Sequence, residues 1–141
     1  MSYILFFAPL AAIIISQGLK LALDGIKGNF NVKNFIRDYG GMPSSHTSFV
    51  ICLLTLILLV EGFASPLFAV TFVMTALVIR DAIGLRQEIS KQGKAINQIL
   101  KKNNLSGTFA DEHIGHSPWE IIAGAFLGIA IALISYLLFL I

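Results

Sequence analysis

The chain has 141 residues, of which 56% are hydrophobic and 13% are charged. Soluble globular domains carry roughly 25% charged residues, so this composition, with a mean hydropathy of +0.81 and long apolar blocks, excludes that class and indicates an integral membrane protein. The formal net charge of +2 excludes no class of protein by itself. The positions of the charges, however, indicate how the chain is oriented in the membrane.

Apolar blocks lie at about residues 3–23, 47–60, 66–79 and 119–141. The second block is short for a membrane span, which needs about 20 residues, unless the turn at residues 44–46 belongs to it. The sequence predicts an all-α fold, an integral membrane bundle of four transmembrane helices that forms a single domain over residues 1–141. No Lys or Arg precedes the first block, so we expect a retained helix rather than a cleaved signal peptide.

The second block begins directly after His46, which follows two glycines, Pro43, Ser44 and Ser45. An ionisable residue at the edge of a membrane helix is a candidate functional residue, although a single histidine here could also be a helix cap. Ser44 or Ser45 is suited to cap the helix, and the unpaired backbone N–H groups of a helix N-terminus bind phosphate.

Cations lie at the C-terminal ends of the first and third blocks. Lys20 and Arg80 complement the helix dipoles there, and their side chains can extend to lipid headgroups. Arg86 lies just beyond the third block, and its guanidinium group suits a phosphate better than an ammonium group does. Asp81 is a candidate partner for Arg86 or for Arg80.

The linker at residues 80–118 contains apolar and basic residues at helical spacing. This pattern predicts a basic amphipathic helix on the inner leaflet of the membrane, where its lysines contact anionic headgroups. The residues concerned are Ile89, Lys91, Lys94, Ile96, Ile99, Leu100, Lys101 and Lys102.

The fourth block begins beside a second histidine, His116. Ser117 is a candidate N-cap with Pro118 at the first helical position, and Glu120, three residues after Ser117, completes a capping box. Alternatively, Glu120 orients and stabilises the imidazole of His116, four residues before it. Within this block, Gly124 and Gly128 indicate close packing against another helix, of the same chain or of a second subunit in a homodimer.

All ten Lys and Arg residues lie between Lys20 and Lys102, and none lies in the short turn at residues 61–65. In a chain of four alternating helices, the two basic linkers share one face, which the positive-inside rule makes cytoplasmic. We therefore expect a multi-pass protein of the cytoplasmic membrane with both termini outside. His46 and His116 then lie on the cytoplasmic side, and two helix N-termini with a histidine at each predict a phosphate site.

The stretch from Pro43 to His46, together with Gly115, His116 and Glu120, resembles the type 2 phosphatidic acid phosphatase and vanadium haloperoxidase superfamily. More closely, nearly the whole chain resembles a divergent branch named acid phosphatase/vanadium-dependent haloperoxidase-related. The further matching residues are Gln17, Lys20, Gly40, Gly41, Met42, Asp81, Ala82, Leu85, Arg86, Lys91, Gln92, Asn97 and Pro118.

The resemblance implies a metal-independent phosphatase without a cofactor, acting on a membrane lipid phosphate or diphosphate. His116 is expected to attack phosphorus and form a phosphohistidine, Glu120 to hold its imidazole, and His46 to protonate the leaving oxygen. Phosphatidate, phosphatidylglycerol phosphate and prenyl diphosphate all fit these expectations.

The chain departs from the superfamily pattern at several positions. Ser45 replaces a glycine, Glu120 replaces an aspartate, and Ala110 stands where the second motif has an arginine. The lysine–arginine motif of the superfamily is also missing. We therefore expect the phosphate to be bound by Lys20, Arg86 and Lys91, together with Ser44 and Ser45.

Two other functions fit the sequence. A membrane metal-binding or transport protein would use the carboxylates and imidazoles near the fourth block as ligands. A catalytically inactive lipid-binding scaffold would explain the missing arginine. The ligand candidates are Asp111, Glu112, His113, His116 and Glu120. No nucleic-acid partner is expected.

Overall fold

The structure is a computed structural model, which describes residues 2–23, 41–107, 109–110 and 117–140. These residues form helices and connecting turns without any β-strand, which confirms the predicted all-α class. The helices are α1 (Ser2–Leu23), α2 (Ser45–Glu61), α3 (Pro66–Ile83), α4 (Leu85–Lys102) and α5 (Pro118–Leu140).

By length and composition, the described residues contain three helical segments able to cross a membrane. They are Tyr3–Leu23, Pro66–Lys102, which joins α3 to α4, and Pro118–Leu140. Helix α2 is equally apolar but has 17 residues, and a helix of that length spans about 26 Å, less than the ~30 Å hydrocarbon core of a bilayer. The described residues therefore contain four apolar helices in the predicted order, of which α2 is the shortest.

The turn between α2 and α3 is defined by a glycine that ends α2 and a serine that caps α3. Helix α2 ends at Gly62, which has a φ of 82° and donates its N–H to the Leu58 carbonyl. This left-handed conformation favours glycine. Ser65 then caps α3 by accepting a hydrogen bond from the Leu67 N–H at 3.1 Å, and Pro66 occupies the start of the helix.

Helix α2 lies at the centre of the bundle and packs against α1, α3 and α5, and α1 also packs against α5. The Ser16 hydroxyl donates to the Pro43 carbonyl at 3.0 Å, and the Thr75 hydroxyl donates to the Val50 carbonyl at 3.4 Å. Both α1 and α3 therefore bring their C-terminal halves to the beginning of α2. The core between the helices consists of Ala8, Ala12, Cys52, Leu56 and Ala132.

Helices α2 and α5 run in the same direction with their backbones in close contact. A Cβ atom at Gly124 would lie 2.5 Å from the Ser44 carbonyl oxygen, and one at Gly128 would lie 2.6 Å from that of Ser48. Glycine is needed at both positions because any side chain would collide with backbone. The close packing predicted for Gly124 and Gly128 thus occurs inside the chain, with α2 as the partner helix.

A further helix, α4, occupies the predicted amphipathic segment and packs mainly on α3. The backbone hydrogen bonds continue through the junction, since Gly84 donates to the Arg80 carbonyl and Glu88 donates to the Gly84 carbonyl. One face of α4 is apolar and exposed, comprising Leu85, Ile89, Ile96 and Ile99. A different face, carrying Gly93 and Asn97, is buried.

Candidate active site

The N-termini of α2 and α5 lie side by side, and one backbone hydrogen bond joins them. The Ser44 N–H donates to the Glu120 carbonyl at 3.0 Å, beside the Gly124 contact with Ser44. The two helix starts that the sequence places at one end of the bundle are therefore neighbours. His116, which precedes α5, lies outside the described residues.

Ser44, rather than Ser45, caps α2. Its hydroxyl accepts hydrogen bonds from the Thr47 N–H at 3.4 Å and from the Thr47 hydroxyl at 3.0 Å. Ser48 reinforces this turn by donating its hydroxyl to the Ser44 carbonyl at 2.9 Å. The side chains of Ser44, Thr47 and Ser48 are fully buried, so the start of α2 is a polar turn enclosed by helices.

Ser45 is the first residue of α2 and faces Lys20. The Lys20 Nζ atom donates to the Ser45 Oγ atom at 3.5 Å, and only 6% of Lys20 and 3% of Ser45 are exposed. The side chain of Lys20 is thus buried in the bundle, and the alternative of a lysine extended outward to lipid headgroups is wrong. Burying an ammonium group is costly unless polar or anionic groups surround it, and Ser45 is one such polar group.

His46 is the second residue of α2, directly after Ser45. Its side chain is partly buried, and its Nδ1 atom is shielded from solvent. The imidazole therefore belongs to the same end of the bundle as Lys20 and Ser45.

The capping box predicted at α5 is present. The Glu120 N–H donates to the Ser117 hydroxyl, and the Ser117 N–H donates to the Glu120 Oε2 atom, both at 3.3 Å. A carboxylate has two oxygens with several acceptor positions, so this cap leaves room for the second predicted role, the orientation of His116. Glu120 also accepts the hydrogen bond from Ser44 through its carbonyl, which ties the cap of α5 to the start of α2.

The two other predicted phosphate-binding cations belong to α4. The Arg86 Nε atom lies 2.9 Å from the Asp81 Oδ2 atom, so Asp81 is paired with Arg86. Lys91 pairs with Glu88 at 2.6 Å, with 68% and 61% of the two side chains exposed. The structure therefore brings Lys20, not Lys91, into the enclosed end of the bundle.

Two polar contacts were not predicted from the sequence. Ser16, which is fully buried, holds the Pro43 carbonyl, and its spacing of four residues from Lys20 places both on one face of α1. Asn97 hydrogen-bonds the backbone of Ala110. This pair is separated by 13 residues, and no local pattern indicates it.

Among the residues that the structure describes, no group of three or more His, Cys, Asp and Glu residues could hold a metal ion. Of the ligands considered for a metal-binding protein, only Glu120 is described, because Asp111, Glu112, His113 and His116 lie outside the described residues.

Comparison with known proteins identifies the family of the chain. The chain belongs to the Divergent PAP2 family, which it matches over residues 1–131. It is 30% identical over 142 residues to the uncharacterized membrane protein YuiD of Bacillus subtilis (strain 168), an alignment that covers 90% of each chain. No solved structure matches the chain. The family assignment confirms the predicted relation to a divergent branch of the superfamily.

Proposed function

We propose that this protein is a membrane phosphatase that hydrolyses a lipid phosphate or diphosphate through a phosphohistidine intermediate. The observation that carries the proposal is the buried Lys20, whose ammonium group meets Ser45 at the joined N-termini of α2 and α5. Membership of the Divergent PAP2 family supports the same chemistry.

A membrane location is supported by the outer surface of the bundle. Large apolar side chains are exposed on α1, α3 and α5, and a surface of this kind is stable only against lipid or another protein. Examples are Phe6, Phe7, Val70, Phe126 and Leu138. The relative YuiD also carries the description of a membrane protein. We infer four membrane-spanning helices, with α4 lying at the surface of the membrane.

The ends of the helices determine the orientation that we propose. The C-terminal ends of α1 and α3 and the starts of α2 and α5 lie at one end of the bundle. The basic linkers leave and enter at this end, so the positive-inside rule places it in the cytoplasm. The exposed apolar face of α4 then contacts the inner leaflet, and its lysines meet anionic headgroups.

The proposed phosphate site combines three sources of positive potential. The starts of α2 and α5 contribute backbone N–H groups and the positive ends of two helix dipoles. Lys20 contributes a full charge inside the bundle, where low polarity strengthens its attraction to an anion. Ser45 offers a hydroxyl next to this charge. Arg86 and Lys91 would contact the substrate from α4 at the membrane surface.

In the proposed reaction, His116 attacks the phosphorus atom while the lipid oxygen leaves. His46 donates a proton to that oxygen, and the negative charge of the transferring phosphoryl group is stabilised by Lys20 and the helix N-termini. Water then attacks the phosphohistidine, returns a proton to His46 and releases inorganic phosphate. Glu120 stabilises the cationic imidazole of His116 during both steps.

The test is phosphate release by the purified protein in mixed micelles, with phosphatidate, phosphatidylglycerol phosphate and prenyl diphosphate as separate substrates and chelator present. We expect release that vanadate inhibits. His116→Ala and His46→Ala should each lose at least about 100-fold in rate, the range for a removed acid–base or nucleophilic group.

The matched control is His113→Ala, which removes the remaining histidine of the chain and should retain wild-type release. Full activity in both His116→Ala and His46→Ala would contradict the proposal. Loss of activity in His113→Ala together with chelator sensitivity would favour a metal-dependent protein instead.

A catalytically inactive lipid-binding protein is the second candidate, and Ala110 favours it because an arginine that contacts phosphate in the superfamily is missing there. Vesicle binding that depends on lipid phosphate, without release from any of the three substrates, would support this function over the first.

A further inference from the structure

The peptide unit between Pro43 and Ser44 is held by two neighbouring helices. Its carbonyl, on Pro43, accepts a hydrogen bond from the Ser16 hydroxyl of α1 at 3.0 Å. Its N–H, on Ser44, donates to the Glu120 carbonyl of α5 at 3.0 Å. Because the C=O and N–H groups of a trans peptide unit point in opposite directions, α1 and α5 fix this unit from opposite sides, directly before α2 begins at Ser45.

The contact between Ser16 and Pro43 lies inside the bundle, where no water replaces it. Ser16 and Ser44 are fully buried, and Pro43 is buried as well. The first backbone bond of α2 runs from the Ser48 N–H to the Ser44 carbonyl at 3.0 Å, so the Pro43 carbonyl precedes the bonds of the helix. Since a buried carbonyl without a donor is unfavourable, Ser16 supplies a hydrogen bond that α2 itself does not provide.

The same face of α1 carries Lys20, one helical turn after Ser16. Ser16 contacts Pro43, and the Lys20 Nζ atom donates to the Ser45 Oγ atom at 3.5 Å. A lysine side chain has a flexible stem of four carbons, whereas the serine hydroxyl is one bond from Cβ and can reach its partner only where the two backbones are correctly placed. The shorter contact therefore fixes α1 against the start of α2, and this limits where the ammonium group of Lys20 can lie.

We propose that Ser16 is a positioning residue, which holds the peptide unit between Pro43 and Ser44 so that Lys20 and Ser45 face each other at the phosphate site. This inference rests on the phosphate site of the proposed function, and it does not depend on the catalytic step. Ser16 acts through the backbone at the start of α2 and does not itself bind the phosphate.

The test is the binding of inorganic phosphate to the purified protein in detergent, measured by titration calorimetry. Ser16→Ala removes the hydroxyl donor, and we expect the Kd for phosphate to rise about 3- to 10-fold, the factor that corresponds to one lost hydrogen bond. Thermal unfolding shows whether the variant is folded. A folded Ser16→Ala protein with the wild-type Kd would overturn the inference.

The matched control is Thr75→Val, which removes another buried hydroxyl that links a helix to α2. Thr75 is 4% exposed and donates to the Val50 carbonyl at 3.4 Å. Val50 lies five residues after Ser45, beyond the first turn of α2. We therefore expect the Kd for phosphate to change less than twofold in Thr75→Val, even where the unfolding temperature falls as much as in Ser16→Ala. An equal rise of the Kd in both variants would reduce Ser16 to a structural contact and overturn the inference.

Two further variants test how Ser16 acts. Ser16→Cys keeps a donor, although a weaker one, so its Kd should lie between those of the wild type and Ser16→Ala. If Ser16→Ala does not fold, a folded Ser16→Cys protein with the wild-type Kd overturns the inference in its place. The double variant of Ser16→Ala and Lys20→Met should bind phosphate no more weakly than Lys20→Met alone, because Ser16 acts through Lys20. Additive losses would show that it does not.

Hydrogen exchange and phosphate release separate this inference from the proposed function. The backbone amides of residues 44–48 should exchange faster in Ser16→Ala than in the wild type or in Thr75→Val, and unchanged exchange would overturn the inference. If the wild-type protein binds phosphate but releases none from any lipid substrate, the proposed catalysis fails, while the Kd values still decide the role of Ser16. If the wild-type protein binds no phosphate, the positioning role fails together with the phosphate site.

Discussion

The position of the Lys20 side chain differs from what its place in the sequence suggests. At the end of an apolar block, a lysine normally extends to the membrane surface, yet here 6% of it is exposed and it contacts Ser45. A buried ammonium group without a binding role would be an unfavourable choice, because an apolar residue of similar size is often equally stable in such a position. In the proposed function, Lys20 is buried because it binds the phosphate of the substrate.

This role predicts that removing the charge of Lys20 lowers activity. Lys20→Met keeps the length of the side chain and removes its charge. We expect phosphate release to fall roughly 10- to 100-fold, because a hydrogen bond to a charged group contributes about 1.5–3 kcal/mol. Thermal unfolding in detergent shows whether the variant is folded.

The matched control for Lys20 is Lys94→Met, the same exchange at an exposed position of α4. It should leave both the release rate and the unfolding temperature unchanged. A stable Lys20→Met protein with wild-type release would show that Lys20 does not bind the phosphate.

At the scale of helices, the contact between α2 and α5 determines the geometry of the site. The two backbones approach so closely that Gly124 and Gly128 face the carbonyls of Ser44 and Ser48. The same approach allows the hydrogen bond from Ser44 to Glu120. Close packing of small residues is a main source of stability between membrane helices, because the hydrophobic effect does not drive helices together inside lipid.

Glycine-to-alanine substitutions should therefore change the free energy of unfolding in opposite directions at closely packed and at open positions. Gly124→Ala places a Cβ atom 2.5 Å from the Ser44 carbonyl, and we expect a loss of about 1–3 kcal/mol in the free energy of unfolding, as for overpacking elsewhere. Phosphate release should fall as well, because Ser44 lies at the site. Thermal unfolding in detergent and the release assay measure the two effects.

Gly18 provides the control, because it lies within α1 and a Cβ atom there has nothing within 4 Å. Gly18→Ala should be neutral or stabilising, by up to about 1 kcal/mol, through the higher helix propensity of alanine. Equal stability of the Gly124→Ala and Gly18→Ala proteins would contradict the close contact between α2 and α5.

The helix boundaries illustrate which local signals the sequence carries. Helix α2 begins at Ser45, before the apolar block, because the Ser44 cap defines the start and not the first apolar residue. Helix α3 continues past the apolar block to Ile83, since Arg80 and Asp81 are compatible with a helix that ends only at Gly84. Hydropathy thus predicted which segments are helical, whereas the capping residues determined where the helices begin and end.

For the whole molecule, the proposed orientation follows from the alternation of the four apolar helices and the basic linkers. It predicts that the turn between α2 and α3 and the loop after α4 lie on opposite sides of the membrane. Single cysteines at exposed positions test this in a chain whose own cysteine, the buried Cys52, is replaced by alanine.

In intact cells, an impermeant maleimide should label Ala64→Cys, in the turn at residues 61–65, and should not label Ser106→Cys. Permeabilised cells should label both, because Ala64 and Ser106 are exposed in the structure. The reverse pattern in intact cells would place the candidate active site outside the cytoplasm and overturn the proposed orientation.

Properties that depend on neighbouring residues could be predicted from the sequence. Apolar blocks predicted the all-α class and the order of the helices, and the spacing of Ser117 and Glu120 predicted the capping box, because these features involve residues within a few positions of one another. The pairing of helix starts was also predicted, since alternating helices bring every second start to the same end.

The contacts between distant polar groups could not be predicted, because they depend on how the helices pack. Lys20 and Ser45 are 25 residues apart, Ser16 and Pro43 are 27 apart, and Asn97 and Ala110 are 13 apart. Such contacts depend on how each helix rotates about its axis when the bundle packs. That rotation is set by close contacts such as those of Gly124 and Gly128 with α2, which hydropathy does not reveal.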